Sequence, residues 1–140
     1  LRIMGLDLGE KRIGVALSDP MGWTAQAHSV LQRGNNSCRV IADLCAEYDV
    51  EGIVLGWPLN MNGTAGPKAA EAEDFARQLT ECTGLKVELQ DERLTTKTAE
   101  RVLLQADVSR KKRRQVIDKM AAAYILQVYL DSHKDHKGMI

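Results

Sequence analysis

Arg2-Ile3-Met4-Gly5-Leu6-Asp7-Leu8, then Gly9-Glu10-Lys11, then Arg12-Ile13-Gly14-Val15-Ala16-Leu17-Ser18: this opening run decides how the chain folds. Residues 2–8 are apolar at both odd and even positions, the pattern of a strand covered on both faces and therefore central in its sheet. Gly9 to Arg12 forms a turn, and residues 12–18 read as the antiparallel partner of a hairpin. A third strand is expected over 26–32.

Asn36 or Ser37 caps a helix to about Tyr48, with Val40, Ile41, Leu44 and Cys45 at helical spacing. Gly52-Ile53-Val54-Leu55 is a short apolar strand, stopped by Gly56-Trp57-Pro58, and a polar loop through Thr64 follows. Pro67 suits the first turn of a helix to about Cys82, with Gly84 just past its end. Lys86 to Gln90 alternates as a strand. Helices are expected from Thr95 or Thr96 to about Gln105, and from Ser109 to near Ser132, before a frayed tail. The order βββαβαβαα defines an α/β protein: three α/β/α layers around a five-stranded mixed sheet. Right-handed crossovers give strand order 3-2-1-4-5, with strand 2 antiparallel. A length of 140 residues suits a single domain, 1–140.

The composition, 44% hydrophobic and 27% charged, is that of an ordinary globular protein, and no apolar run reaches the ~20 residues of a membrane span. The start is too short and too strand-like for a signal peptide, although Leu1 stands where an initiator Met would be expected. Cys38, Cys45 and Cys82 are odd in number and form no CxxC, so they read as small buried residues in a reducing cytoplasm rather than a disulfide or zinc framework. Net charge is zero, so any nucleic-acid surface must come from local clustering. Arg110-Lys111-Lys112-Arg113-Arg114 is such a cluster. It opens a helix, where cations oppose the dipole, and an anionic partner such as phosphate explains it better than helix stability does.

Three acidic residues carry the expected chemistry. Asp7 ends a central strand, where a carboxylate is costly unless paired; a divalent cation such as Mg²⁺ would compensate it. Asp91-Glu92 follows the fifth strand at the same sheet edge, and Glu92 is preferred to Asp91 for its reach. Asp118 borders the apolar stripe of the last helix (Val116, Ile117, Met120, Ala121, Tyr124, Val128), beside the small Ala121 and Ala122. Convergent carboxylates of this kind position cations for phosphodiester hydrolysis. No Ser-His-Asp or Cys-His set competes: His28 reads as a strand residue, and His133 and His136 as a solvated helix end. Trp57, in the loop after the fourth strand, reads either as a surface for base stacking or as a packing residue.

The segments Gly5 to Ala16, Gly56 to Thr64, and Asp91-Glu92-Arg93-Leu94-Thr95-Thr96 resemble the YqgF/RuvX family, in order and over nearly the whole chain. Asp118, ahead of Ala121-Ala122, is similar to that family's last acidic position. The resemblance implies an RNase H-like fold and a metal-dependent nuclease, using Mg²⁺ or Mn²⁺. Its substrate would be the 5′ end of pre-16S rRNA in ribosome biogenesis or, alternatively, the branched DNA of a Holliday junction. Asp7, Glu92 and Asp118 would then be catalytic metal ligands. Lys11, Arg12, Asn60 and Arg93 would lie near substrate, and Lys111, Lys112 and Arg113 would hold phosphates. The implied partners are nucleic acid and ribosomal particles, with no membrane, for a monomer or weak homodimer. Trp57, Asn62 and Glu10 depart from the family's usual residues, which bears on loop contacts. An actin-like ATPase shares the Asp7-Leu8-Gly9 motif but needs two domains. A non-catalytic RNA-binding factor is the other rival, disfavoured by the intact acidic set.

Overall fold

The fold is taken from a computed structural model that describes residues 2–60, 62–91 and 110–133, with only the helical backbone described for 110–119. Strands β1 (Arg2–Leu8), β2 (Arg12–Ser18) and β3 (Ala25–Gln32) form an antiparallel meander. Helix α1 (Ser37–Glu47), strand β4 (Val50–Trp57), helix α2 (Pro67–Thr83) and strand β5 (Lys86–Asp91) follow, and helix α3 spans Arg110–Ser132. The sheet order is β3-β2-β1-β4-β5, with β4 and β5 parallel to β1. This is the expected order. The helix expected over 95–105 lies outside the described residues.

Local chemistry accounts for most boundaries. Pro67 opens α2, and Gly84 closes it in the left-handed region at φ 71°, its N–H bonded to Thr80 O at 3.0 Å. At α1 the expected cap differs. Asn36 occupies the cap position without a side-chain bond, while the buried Ser37 hydroxyl accepts from Gly34 N at 2.9 Å and donates to Gly34 O at 2.8 Å. β4 is longer than expected, because Gly56 and Trp57 remain paired with Gln90 and Asp91 and the strand ends only at Pro58. On the edge strand β3, Val15 faces Ser29 and Ala16 faces Ala27, which leaves His28 in a bulge. Its Nε2 lies 3.0 Å from Tyr48 Oη.

The two sheet faces bury different side chains. Met4, Leu6, Ile13, Val15, Ile53 and Leu55 pack under α1 and α2 with Ile41, Phe75 and Leu79. Ala16 and Val54 pack under α3 with Ala122, Ile125, Leu126 and Leu130. The buried face of α3 is thus Ala121, Ala122, Ile125, Leu126 and Leu130; of the expected stripe Ala121 is buried, Met120 and Tyr124 are half-buried, and Val128 is exposed. The cysteines divide as well: Cys45 is buried, Cys38 half-buried and Cys82 exposed, so burial of all three does not hold. No described helix is long and apolar enough to cross a membrane.

Candidate active site at the C-terminal sheet edge

Asp7 is half-buried and sits one residue from the C-terminal end of β1. Its antiparallel partner is Gly14. On the other side Leu6 pairs with Leu55, so the next β4 residue beside Asp7 is Gly56. Both lateral neighbours therefore lack side chains. No side chain from either neighbouring strand position stands beside the Asp7 carboxylate.

Alternation along β1 puts Asp7 on the same face as Gly5, the face covered by α3. A Cβ at Gly5 would stand 2.7 Å from Leu126 Cβ and 2.9 Å from Ala122 O, closer than any real Cβ tolerates. Helix and strand touch here because position 5 has no side chain. Farther down, Gln127 Oε1 accepts from Ala25 N, which pairs with Ser18 at the level of Ile3, so α3 runs antiparallel to β1. One helical turn toward the N-terminus from Ala122 is ~6 Å, and two strand residues from Gly5 to Asp7 are ~6.6 Å. Position 118 is four residues before Ala122 on the same helix, and Asp7 two residues after Gly5 on the strand.

β5 ends at the same edge. Leu89 packs under α1 and α2, whereas Glu88 interacts with Tyr129 of α3, so alternation puts Asp91 on the face away from Asp7. Asp91 pairs with Trp57 and is half-buried. Glu92 and Arg93 lie outside the described residues. Lys111, Lys112 and Arg113 fall in the first turns of α3, where only the backbone is described. Among the described residues no group of three or more His, Cys, Asp or Glu side chains could hold a metal.

The turn after Asp7 is tightly closed. Gly9 N donates to Arg12 O at 2.8 Å, and a Cβ on Gly9 would meet that same oxygen at 2.8 Å. Lys11 is exposed at its tip and Arg12 half-buried at its base. Arg33, which sequence reasoning passed over, donates from Nη1 to Gly9 O at 2.8 Å and pairs with Glu71 of α2. The only available signal was a cation set between the third strand and Gly34.

The loop after β4 was expected to offer its polar groups outward. Instead it binds itself. Asn60 Nδ2 donates to Thr64 Oγ1 at 3.0 Å, and Asn62 Oδ1 accepts from Thr64 N and Oγ1 at 3.1 and 2.7 Å. Asn60 is exposed but already engaged. Trp57 is half-buried against the α1/α2 core, and its Nε1 is buried without an acceptor among the described residues. That is the packing alternative. Burial pushes the Cys38 and Cys45 thiols up to about 11, which disfavours thiolate chemistry at either. His133 stacks on Tyr129, with centroids 4.1 Å apart, rather than extending into solvent.

A mixed sheet of this order, with a helix pressed against its first strand, is an RNase H-like fold. In fold it is similar to the RuvC resolvase of Thermus thermophilus, solved with a Holliday junction (TM-score 0.55, 12% identity, 96% of each chain). It is likewise similar to the fowlpox virus Holliday junction resolvase (TM-score 0.55, 17% identity, covering 94% of this chain and 99% of that one). The chain belongs to the RuvX family, described as "Holliday junction resolvase", whose profile matches residues 1–132. It is 62% identical over 133 residues to a Syntrophomonas wolfei protein named "Putative pre-16S rRNA nuclease", covering 94% of both chains. A protein of the same name from Geobacillus thermodenitrificans is 55% identical, with 96% of this chain and 100% of that one covered.

Proposed function

We propose that this protein is a metal-dependent endonuclease that hydrolyses nucleic-acid phosphodiesters at the edge where β1 ends, and that its substrate is the 5′ region of precursor 16S rRNA. The observation that supports the reading is the close contact of α3 with Gly5, two residues before Asp7 on the same face of β1. The substrate reading rests on the relatives at 55–62% identity, named for pre-16S rRNA. Branched DNA is the alternative, supported by the family description.

The donor set fits a hard divalent cation, Mg²⁺ or Mn²⁺: carboxylate oxygens, with two glycines beside Asp7. Asp7, Glu92 and Asp118 would hold it. When bound, such a cation supplies Lewis-acid activation and charge neutralisation at the phosphate. The residues themselves do the positioning. Asp7 is fixed by strand pairing on both sides, and position 118 by a helix that cannot back away without losing its contact with the sheet. Lys11 and Arg12 at the neighbouring turn, and Lys111, Lys112 and Arg113 on α3, orient flanking phosphates by charge. Asn60 contributes through the shape of its loop, and Arg93 adds a cation after β5.

The test is purified protein with Mn²⁺ on a 5′-extended 16S precursor and on a four-way DNA junction, with Asp7→Asn as control. The variant should bind substrate normally and lose cleavage of the RNA. Equal cleavage by wild type and variant rejects the site; cleavage of the junction alone selects the DNA reading; binding without cleavage by either selects a non-catalytic RNA-binding factor. Replacing Lys111, Lys112 and Arg113 with Ala should lower the slope of log affinity against log salt by roughly two to three. An unchanged slope removes the basic run from the interface.

A further inference from the structure

We infer that Arg33 is a positioning residue: braced by Glu71, it clamps the turn that follows Asp7 and so sets where Asp7 and Lys11 stand. This deepens the proposed nuclease reading and rests on it for its catalytic consequence.

The turn of residues 9–11 links Asp7 to the cations at Lys11 and Arg12, and it carries little apolar anchorage of its own: Glu10 and Lys11 are exposed. It is held by hydrogen bonds instead. Gly9 N donates to Arg12 O, which closes the turn internally. Two further bonds come from one residue outside it. Arg33 N donates to Lys11 O at 3.0 Å, and Arg33 Nη1 donates to Gly9 O at 2.8 Å. The other end of the same guanidinium, Nη2, pairs with Glu71 Oε1 on α2. A planar guanidinium offers donors in fixed directions, so engaging α2 with one nitrogen aims the other. The turn is thereby tied to a helix buried through Ala72, Phe75 and Leu79, not merely to the end of β3.

An arginine at this place could bind phosphate or brace the turn. Its bonds favour the brace: its backbone N–H and one N–H of each terminal nitrogen go to protein oxygens. It also lines a groove of about 500 Å³ with Glu10, Glu71 and Asp74, carboxylates that would repel a nucleic-acid backbone. A second, weaker contact acts on the same turn, Lys68 Nζ to Glu10 Oε1 at 3.6 Å between exposed side chains. Arg33 is only 28% exposed, and its pairing is the better sheltered of the two.

The test uses Arg33→Met, which keeps the apolar stem, and Glu71→Gln, which keeps the shape of the brace while removing its charge. Amide hydrogen exchange reads the clamp without any need for activity. In Arg33→Met, exchange of the amides at positions 9 and 33, which donate to Arg12 O and Lys11 O, should rise at least tenfold while amides in β4 and α1 stay unchanged. Glu71→Gln should give a smaller rise at the same two residues. On the substrate cleaved by wild type, Arg33→Met should lower kcat about tenfold with KM within twofold, and Arg33→Lys should rescue little, since a single ammonium cannot reach both partners. Unchanged exchange in both variants overturns the brace, whatever the activity. A raised KM at constant kcat makes Arg33 a substrate contact and also overturns it. Looser turn amides with no wild-type cleavage to measure, or with Asp7→Asn as active as wild type, would uphold the clamp and reject the nuclease site instead. If Arg33→Met does not fold, Glu71→Gln decides by the same exchange pattern.

Discussion

The two faces of the sheet are built for different ends. Under α1 and α2 the contacts are large: Met4, Leu6, Ile13 and Leu55 meet Ile41, Phe75 and Leu79. Under α3 they are small where it matters, with Gly5 and Ala16 facing Ala122. Bulky side chains bury more apolar area, at about 25 cal/mol per Å², so the first face holds more of the stability. Small ones let backbones approach, and approach is what a carboxylate on a helix needs to share a site with one on a strand. One face stabilises the sheet, and the other aligns what sits at its edge.

The contrast can be broken from either side. Leu55→Ala on the bulky face should cost the most stability, about 2–5 kcal/mol, because Leu55 is fully buried and its cavity cannot collapse freely. Denaturant unfolding measures it, and cleavage per folded molecule should stay within about twofold of wild type. Gly5→Ala on the α3 face should cost less, about 1–3 kcal/mol, since one methyl has to displace Leu126 Cβ and the Ala122 carbonyl. Its cleavage should nonetheless fall by roughly a hundredfold, because a misplacement of about 1 Å between reacting groups has that effect. If the two variants lose activity in proportion to stability, the faces are not specialised and the argument for α3 as an aligning element fails.

What could be read from the sequence follows the same division. The strand order came from the two-faced apolar pattern of residues 2–8 and from the alternation of short strands with helices, because burial dictates both. Asp7 was legible because a carboxylate at the end of such a strand needs a reason. The full buried face of α3 was not: with Val116, Ile117, Tyr124 and Val128 all apolar, periodicity allowed several faces, and only packing on the sheet selects Ala121, Ala122, Ile125, Leu126 and Leu130. Loop chemistry was also hidden. Asn60, Asn62 and Thr64 have the composition of a binding loop and spend their groups on one another. Arg33 could not be seen at all, because its partners Gly9 and Glu71 lie 24 and 38 residues away. Glu92 was legible from its place after the fifth strand and Arg93 only as part of a motif, and both lie outside the described residues.

The smallest effect belongs at the other end of α3, where the helix is anchored rather than aligned. The Tyr129 hydroxyl interacts with the Glu88 carboxylate on β5, and this interaction, above all, holds the Glu88 carboxyl below its ordinary value of 4.5, helped by Lys86 and opposed by burial. Burial first, then that same carboxylate, pushes the Tyr129 phenol up to about 12. The signs are opposite in pH. A depressed carboxyl gives stability that is whole above its ordinary value and lost as pH falls through the lower folded value; a raised phenol gives stability that is whole below 10 and lost as pH climbs toward 12. Glu88→Gln should therefore lower stability slightly at neutral pH, where the carboxylate's contribution is whole, flatten the acid limb of the unfolding profile, and lower the Tyr129 titration only part of the way toward 10, because burial remains. Tyrosinate absorbance against pH reads the last effect, and cleavage should be untouched. A loss of cleavage in Glu88→Gln as large as in Gly5→Ala would mean that the whole helix, and not its approach at Gly5, sets the site.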